Sequence, residues 1–419
     1  MDAPVGENLI SSGLARHGKQ GTSVAQRKIL LFSSTDGDFA PMIASRFVRL
    51  HFAVDALCPG NHVLACSAAV ARVFRYGFAR PLRNLRAAIE ASRPDLIIPC
   101  DDPARYALTK LHGASARRDD PKSIETRTLI ERSLGQRAHL GLAEEKSRLL
   151  ATLADSGVRL PLTLPIASAE ALEEACQRLK YPVVLKRDRT FGGMGVVICR
   201  SREEAACGYQ RLTSRPTMRD TLRQIFRKAD FWAITNHFAA SHPAVTAQAY
   251  IGGRPANRAV GCWEGKVVAG LTVVALKTNE DNPVKPATVV QIVHNEEIDR
   301  MAAIVVKGLG LSGICGLDFM IETGTDLPYF IELNPRATPT CHLGRACETD
   351  ICTALHYAIE GTLPDDGIAM EDLSEPIALF PGELRRDPRS PYLSSGYHAV
   401  PWDDPKVLMQ ILRQPRGSL

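Results

Sequence analysis

Residues 316–336, GLDFMIETGTDLPYFIELNPR, set the strongest constraint in the chain. Residues 316–321 alternate and are rich in β-formers, Gly324 and Asp326 suit a turn, and 329–333 reads as a returning strand. Folding about Gly324 and Thr325 sets Asp318 nearly opposite Glu332. Side chains that alternate faces then put Asp318, Glu332 and Asn334 on one side. Two opposed carboxylates repel, and a hard divalent cation among oxygen ligands is the economical compensation. Arg336 follows, with Pro335 stiffening the exit. Carboxylates, an amide and one arginine in this order suit a polyphosphate whose terminal group is transferred. An ordinary hairpin with two solvated acids would share these letters. It would not account for ionisable residues set in an apolar, β-rich frame.

The remaining composition excludes several classes. A chain of 419 residues has room for about two to four domains and a sizeable core. Its 51 Lys and Arg against 46 Asp and Glu give a net charge of +5, which suits an anionic ligand. No basic run with interleaved aromatics points to nucleic acid. No apolar run reaches the roughly 18 residues of a membrane span. Residues 1–27 lack a basic-then-apolar secretory pattern and are expected to form a disordered leader. The 11 cysteines are scattered with no CxxC pair, the usage of reduced thiols in a cytoplasmic protein.

Residues 27–112 alternate strands and helices. Runs at 28–33, 52–57 and 95–99 read as buried parallel strands, with helices at 40–50 and 81–92 between them. Asp101 and Asp102 follow the third strand, where such sheets place ligands and where a helix also takes its N-cap. Residues 141–157 read as a charged amphipathic helix stopped by Gly157, and 168–178 as a second helix capped by Ser168. Strand 181–186 (YPVVLK) leads into RDRTFGGMG and a strand at 196–199. Backbone N–H groups at such a glycine-rich turn can cover phosphates, and Lys186 adds a point charge beside it. The turn lacks the spacing and following helix of a Walker loop. Residues 203–242 read less clearly. Leu222 to Lys228 suits a helix, and Arg215, Arg219, Arg223 and Arg227 recur every four residues, as along one helix face. Strands follow at 244–251, 257–262, 267–273 and 287–293, then helices at 297–309 and 345–360, and a Pro-rich tail.

Together these motifs resemble the ATP-grasp superfamily, most of all its carbamoyl-phosphate-synthetase and biotin-carboxylase branch. The likeness covers about 140–344 and, more loosely, the domain before it. It implies a mixed α/β and α+β architecture, an ATP-grasp fold with a Rossmann-like pre-ATP-grasp domain at 28–139. The ATP-grasp domain would span 140–360, its two α+β subdomains clasping ATP and its flap subdomain at about 182–250. Residues 361–419 would form a C-terminal extension. Lys146 and Lys186 stand where the family's ATP lysines stand, and Thr190, Gly192, Gly193 and Gly195 match its flap. Gln248, Ala249, Tyr250 and Ile251 match the hinge that pairs with adenine through its backbone. Asp318, Glu332 and Asn334 match the ligands of a pair of Mg2+ ions, which Mn2+ can replace, and Arg336 matches the arginine that steadies the transferred phosphoryl group. The chain differs from the family at Gln248, where Glu is common, and at Gly253-Arg254-Pro255, where many members carry a ribose-binding acid.

The resemblance implies a ligase. A small-molecule carboxylate takes the γ-phosphate of ATP, and an amine displaces phosphate from the acyl phosphate. It implies no nucleic-acid or membrane partner and leaves room for a homo-oligomer. Two alternatives stay open: a bicarbonate-activating carboxylase or carbamoyl-phosphate-synthetase-like enzyme, and a nucleotide-binding module without catalysis.

Overall fold

The strand β1 (Lys28–Phe32) is the spine of the first layer because every residue after Lys28 is buried. Alternation divides it between two cores. Ile29 and Leu31 pack toward the helix Ala40–Arg49, and Leu30 and Phe32 toward the helices Pro81–Ser92 and Asp102–Ser115. It pairs in parallel with β2 (Ala53–Cys58) and β4 (Leu96–Pro99), and β3 (Arg72–Arg75) adds to the far side of β2, giving the order β3-β2-β1-β4. The winding reverses between β1 and β4, so the crevice at their C-terminal ends is where an open α/β sheet receives a ligand. The computed structural model that reveals this describes residues 26–35, 37–77, 80–190, 195–214, 244–281, 285–346, 350–362 and 375–413. The expected strands and helices of this layer are present. The sequence reading missed β3, a largely exposed edge strand, and the helix Pro121–Leu134, whose apolar face is sparse.

A second, antiparallel sheet follows. It comprises β5 (Thr163–Ile166), β6 (Val183–Arg187), β7 (Val196–Cys199) and β8 (Val245–Ala249), in the order β5-β8-β6-β7. Helices Ala169–Leu179 and Arg202–Thr213 cover one face, through a core of Leu172, Val183, Leu185, Leu212 and Ala247. Ser168 caps the first as expected, accepting from the Ala171 N–H at 3.2 Å. The helix expected at Leu222 to Lys228, and the arginine spacing around it, lie outside the described residues.

The third sheet has seven strands in the order β13-β12-β9-β10-β11-β14-β15. These are β9 (Gly253–Trp263), β10 (Lys266–Thr278), β11 (Ala287–Ile292), β12 (Gly313–Glu322), β13 (Pro328–Asn334), β14 (Ile377–Leu379) and β15 (Tyr397–Ala399). Helix Glu296–Leu309 packs on one face through Ile298, Met301, Val305 and Leu309. Helix Ile351–Glu360 joins the other face to the first sheet, with Ile351 and Leu355 in the core that holds Ile29 and Leu31. The tail, expected as an extension, thus supplies the last two strands of this sheet. Among the described residues no helix is long and apolar enough to cross a membrane.

Two helices differ from expectation. The span 141–157 holds a short 3-10 turn, Leu142–Glu144, and a separate helix, Lys146–Leu153. The break falls there because the Glu144 carbonyl accepts from the Arg189 N–H at 2.9 Å and its carboxylate pairs with Arg105. The helix expected at 345–360 begins at Ile351, where Asp350 caps the Thr353 N–H at 2.7 Å and pairs with Arg46 at 2.6 Å.

The first and third sheets meet at Gly135, which bridges to Leu311 while the Gln136 N–H donates to the Gly310 carbonyl at 3.0 Å. Gly135 has φ 107° and ψ −163°, a region that only glycine occupies at ease. A Cβ there would run into the Gly310 carbonyl oxygen and the Leu311 backbone. Gly135→Ala is therefore expected to cost on the order of 1–3 kcal/mol. Chemical denaturation of the variant checks this, and an unchanged midpoint contradicts the close approach.

Candidate active site

The hairpin forms in the expected register. Asp318 and Glu332 are Cα partners across β12 and β13, and the chain turns between Glu322 and Leu327. On its other side β12 pairs with β9, where Asn257 is the partner of Asp318. One face of the sheet therefore presents Glu332, Asp318 and Asn257 side by side. The Asp318 carboxylate accepts from Asn257 Nδ2 at 2.7 Å and from Asn334 Nδ2 at 2.8 Å. Thr340 in turn donates to Asn257 Oδ1 at 2.6 Å. Burial pushes the Asp318 carboxyl up to about 6 and the neighbouring Glu332 charge adds to the effect, against the amide donors and Arg336.

Cations from other elements close over these acids. Lys146, the first residue of its helix, meets Glu332 at 3.0 Å. Lys186, from β6, is only 7% exposed. Burial pulls its ammonium down to about 8, helped by Lys146 and opposed by Glu332 and Asp318. Arg336 leaves the end of β13, its Nε on Asp102 at 2.9 Å and Nη2 on Asn334 Oδ1 at 3.3 Å. Burial works against that guanidinium, but Asp102 more than offsets it and holds the pKa above the usual arginine value. Burial likewise works against ionised Asp102, yet Arg336, Arg105 and Lys146 keep its pKa lowered. The Ala337 N–H donates to the Pro99 carbonyl at 2.9 Å, so the segment carrying Arg336 seats in the crevice at the end of β4.

The expected site residues thus fall into groups. Lys146, Lys186, Asp318, Glu332, Asn334 and Arg336 converge. Thr190 lies at the root of the glycine-rich turn, its hydroxyl on the Arg187 carbonyl at 2.8 Å, and Gly195 returns the chain by accepting from the Arg187 N–H at 2.9 Å. Gly192 and Gly193 lie outside the described residues. Gln248 is 2% exposed and its amide donates to Thr163 Oγ1 at 3.0 Å, while the Ala249 N–H is taken by the Leu162 carbonyl at 2.8 Å. Tyr250 and Ile251 lie just beyond the last residue of β8. Asp101 is a helix cap: it accepts from the Ala104 N–H at 2.7 Å and holds the Ser34 N–H at 2.6 Å.

Sequence reasoning missed three contributors. Asn257 and Thr340 set the orientation of Asp318. Asp188 accepts from the Ser147 hydroxyl at 2.7 Å and N–H at 3.2 Å, tying the turn to the helix that carries Lys146. A polar asparagine at the first position of the strand expected at 257–262 was the one local signal for Asn257.

This architecture, a parallel α/β layer followed by two sheets that meet over paired carboxylates and lysines, is the ATP-grasp fold. Residues 234–340 match the family model described as the ATP-grasp domain. The carbamoyl phosphate synthase large chain of Sulfurisphaera tokodaii is 24% identical over 196 residues, 46% of this chain and 17% of that protein. This chain therefore spans well under two thirds of that relative. Carboxyaminoimidazole ribonucleotide synthase of Aspergillus clavatus, solved with ATP, superposes with a TM-score of 0.58 at 14% identity, covering 84% of this chain and 80% of that one. The L-amino acid ligase of Bacillus licheniformis gives 0.57 at 16%, with the same coverage of 84% and 80%.

The titrations carry a testable sign. Asp318 has a folded pKa of about 6, above its ordinary value of 3.8, so its contribution to ligand-free stability is present below the lower value and lost as pH rises through about 6. The loss is at most on the order of 3 kcal/mol. Asp318→Asn is expected to remove that part of the pH dependence between about 4 and 6. Denaturant titrations of both proteins across this range measure it, and parallel curves contradict the assignment.

Proposed function

We propose that this chain is an ATP-dependent ligase that activates a small-molecule carboxylate as an acyl phosphate and joins it to an amine, releasing ADP and phosphate. The observation that carries the reading is the convergence of Asp318 and Glu332 with Lys146, Lys186 and Arg336 from three separate parts of the chain. A pure binding module has no need of two opposed acids under two lysines.

The donor set fits magnesium. Half-buried Asp318, its register partner Glu332 and the Asn334 side-chain oxygen are hard ligands, and the Glu332 charge beside Asp318 invites a cation between them. Bound there, Mg2+ would neutralise charge on the β- and γ-phosphates. Lys146 and Lys186 then hold the phosphate chain as point charges, and a γ-phosphate replaces Glu332 as the partner of Lys146. Arg336 faces the transferring group. The carboxylate oxygen of the substrate attacks the γ-phosphorus as the bond to ADP breaks. The amine then attacks the acyl carbon, phosphate leaves, and the nitrogen loses a proton. The crevice between β1 and β4, where Arg336 meets Asp102, receives the carboxylate and amine.

The likeness to a carbamoyl phosphate synthase favours a second reading, in which bicarbonate is the activated carboxylate. ADP release measured with bicarbonate alone, with pooled carboxylates and amines, and with no acceptor separates the two. ADP that appears with no acceptor set overturns both. Glu332→Gln keeps volume and removes charge, so it is expected to lower ADP formation by roughly a hundredfold or more while the circular dichroism spectrum stays unchanged. Near wild-type turnover would falsify the metal assignment.

A further inference from the structure

The face of the large sheet that carries the paired acids continues past them toward the segment that follows β8. Along β12, Leu317, Phe319 and Ile321 pack into the core beneath the helix Glu296–Leu309. Asp318, Met320 and Glu322 therefore share the opposite face, and all three are half-buried. The pairing of β12 with β9 runs in step from Gly313 to Glu322, so each has a fixed neighbour. Asn257 stands beside Asp318, Pro255 beside Met320 and Gly253 beside Glu322. At about 3.3 Å per residue, Glu322 lies roughly 13 Å along the strand from Asp318.

Glu322 is an acid that the folded chain leaves available. Among the described residues it has no cation partner, and one carboxylate oxygen accepts from the Thr325 hydroxyl at 2.6 Å. Its neighbour Gly253 offers no side chain, and a Cβ there would collide with the Ile321 carbonyl oxygen, so the position beside the carboxylate stays open. The other acid of the turn, Asp326, is exposed and pairs with Arg254 at 3.4 Å. The turn is also fixed to the segment after β8, because the Thr323 N–H donates to the Gly252 carbonyl at 2.9 Å. The first residues of β9, Gly253, Arg254 and Pro255, bring no acid of their own.

We propose that Glu322 binds the ribose hydroxyls of the nucleotide. The assignment rests on the ligase reading, in which the phosphates lie at Asp318 and Glu332 and the nucleoside extends toward Gly252. An ionised carboxylate accepts from both O–H groups of a vicinal diol, and acids take ribose hydroxyls in this way in dinucleotide sites of an unrelated fold. Met320 and Pro255 lie between the two acids and form an apolar floor for the sugar. The Thr325 hydroxyl orients one oxygen of Glu322 from within the turn and leaves the other for the diol.

Calorimetric titration of the full chain with Mg–ATP and with Mg–2′,3′-dideoxy-ATP tests the assignment. The parent is expected to bind ATP roughly tenfold or more tightly than the dideoxy nucleotide, as befits a hydrogen bond to a charged group. Glu322→Ala is expected to bring the two within about twofold, by weakening ATP and leaving the dideoxy nucleotide unchanged. Asp326→Asn is expected to keep the parent's ratio. Equal weakening of both nucleotides by Glu322→Ala marks a structural role for the side chain and overturns the proposal. A parent that does not distinguish the two nucleotides overturns it as well, and so does a ratio lost in Asp326→Asn. Should Glu322→Ala fold poorly, Glu322→Gln keeps the volume and is expected to narrow the ratio by roughly threefold or more, and an unchanged ratio there overturns the proposal. If the parent binds neither nucleotide, the ligase reading falls and the assignment with it. If both bind and Glu322→Ala keeps the parent's ratio, the assignment alone fails.

Discussion

Two acids held opposite each other on neighbouring strands govern the design of this protein. The two carboxylates share one half-buried face, where burial and the Glu332 charge disfavour ionised Asp318, and the structure surrounds them with compensating groups. Two asparagine amides donate to Asp318, a lysine pairs with Glu332, and a second lysine is held nearby at the cost of its own protonation. The ligand-free site is accordingly strained in both signs of charge. Burial and the Lys146 charge lower the pKa of Lys186, and burial and the Glu332 charge raise that of Asp318. Under the proposed function, a phosphate chain with its cation would partner Asp318, Glu332, Lys146 and Lys186 together.

The other domains are arranged around that face. The parallel layer contributes the end of β4 and the first turn of the following helix, where Arg336 docks against Asp102. The small antiparallel sheet contributes Lys186, and pins its own edge by using the Gln248 side chain on Thr163. This division explains why no single segment contains the site. Each group needs a rigid element behind it, and the elements belong to different sheets.

How much of this was legible follows from the range of the interactions. The hairpin register could be read because period-two alternation and a Gly-Asp turn are local, and so could the Ser168 cap and the buried strand β1. Lys186 could be read from its place at a strand end beside the glycine-rich turn, whereas Lys146 was identified through resemblance, since nothing in its spacing marks it. Asn257 and Thr340 escaped because their role depends on β9 pairing with the far side of β12, a register that no adjacent residues encode. Asp102 was recognised only as a residue at a strand end, since its partner arrives from more than two hundred positions away. The helix expected at 141–157 failed for a tertiary reason: a helical period was present, but Arg189 claims the carbonyl that would have continued it.

The seven-stranded sheet has a consequence for biosynthesis. Its strands are drawn from positions 253 to 399, and the last two pair beside β11 only through the tail. On the ribosome the parallel layer and the small antiparallel sheet emerge with all their strands while the large sheet still has an open margin at β11. That strand presents unsatisfied backbone groups and the apolar side chains of Val289, Val290 and Ile292 until the tail arrives. Chaperone demand during synthesis of this protein should therefore concentrate in one late interval, between the release of β11 and the release of β15.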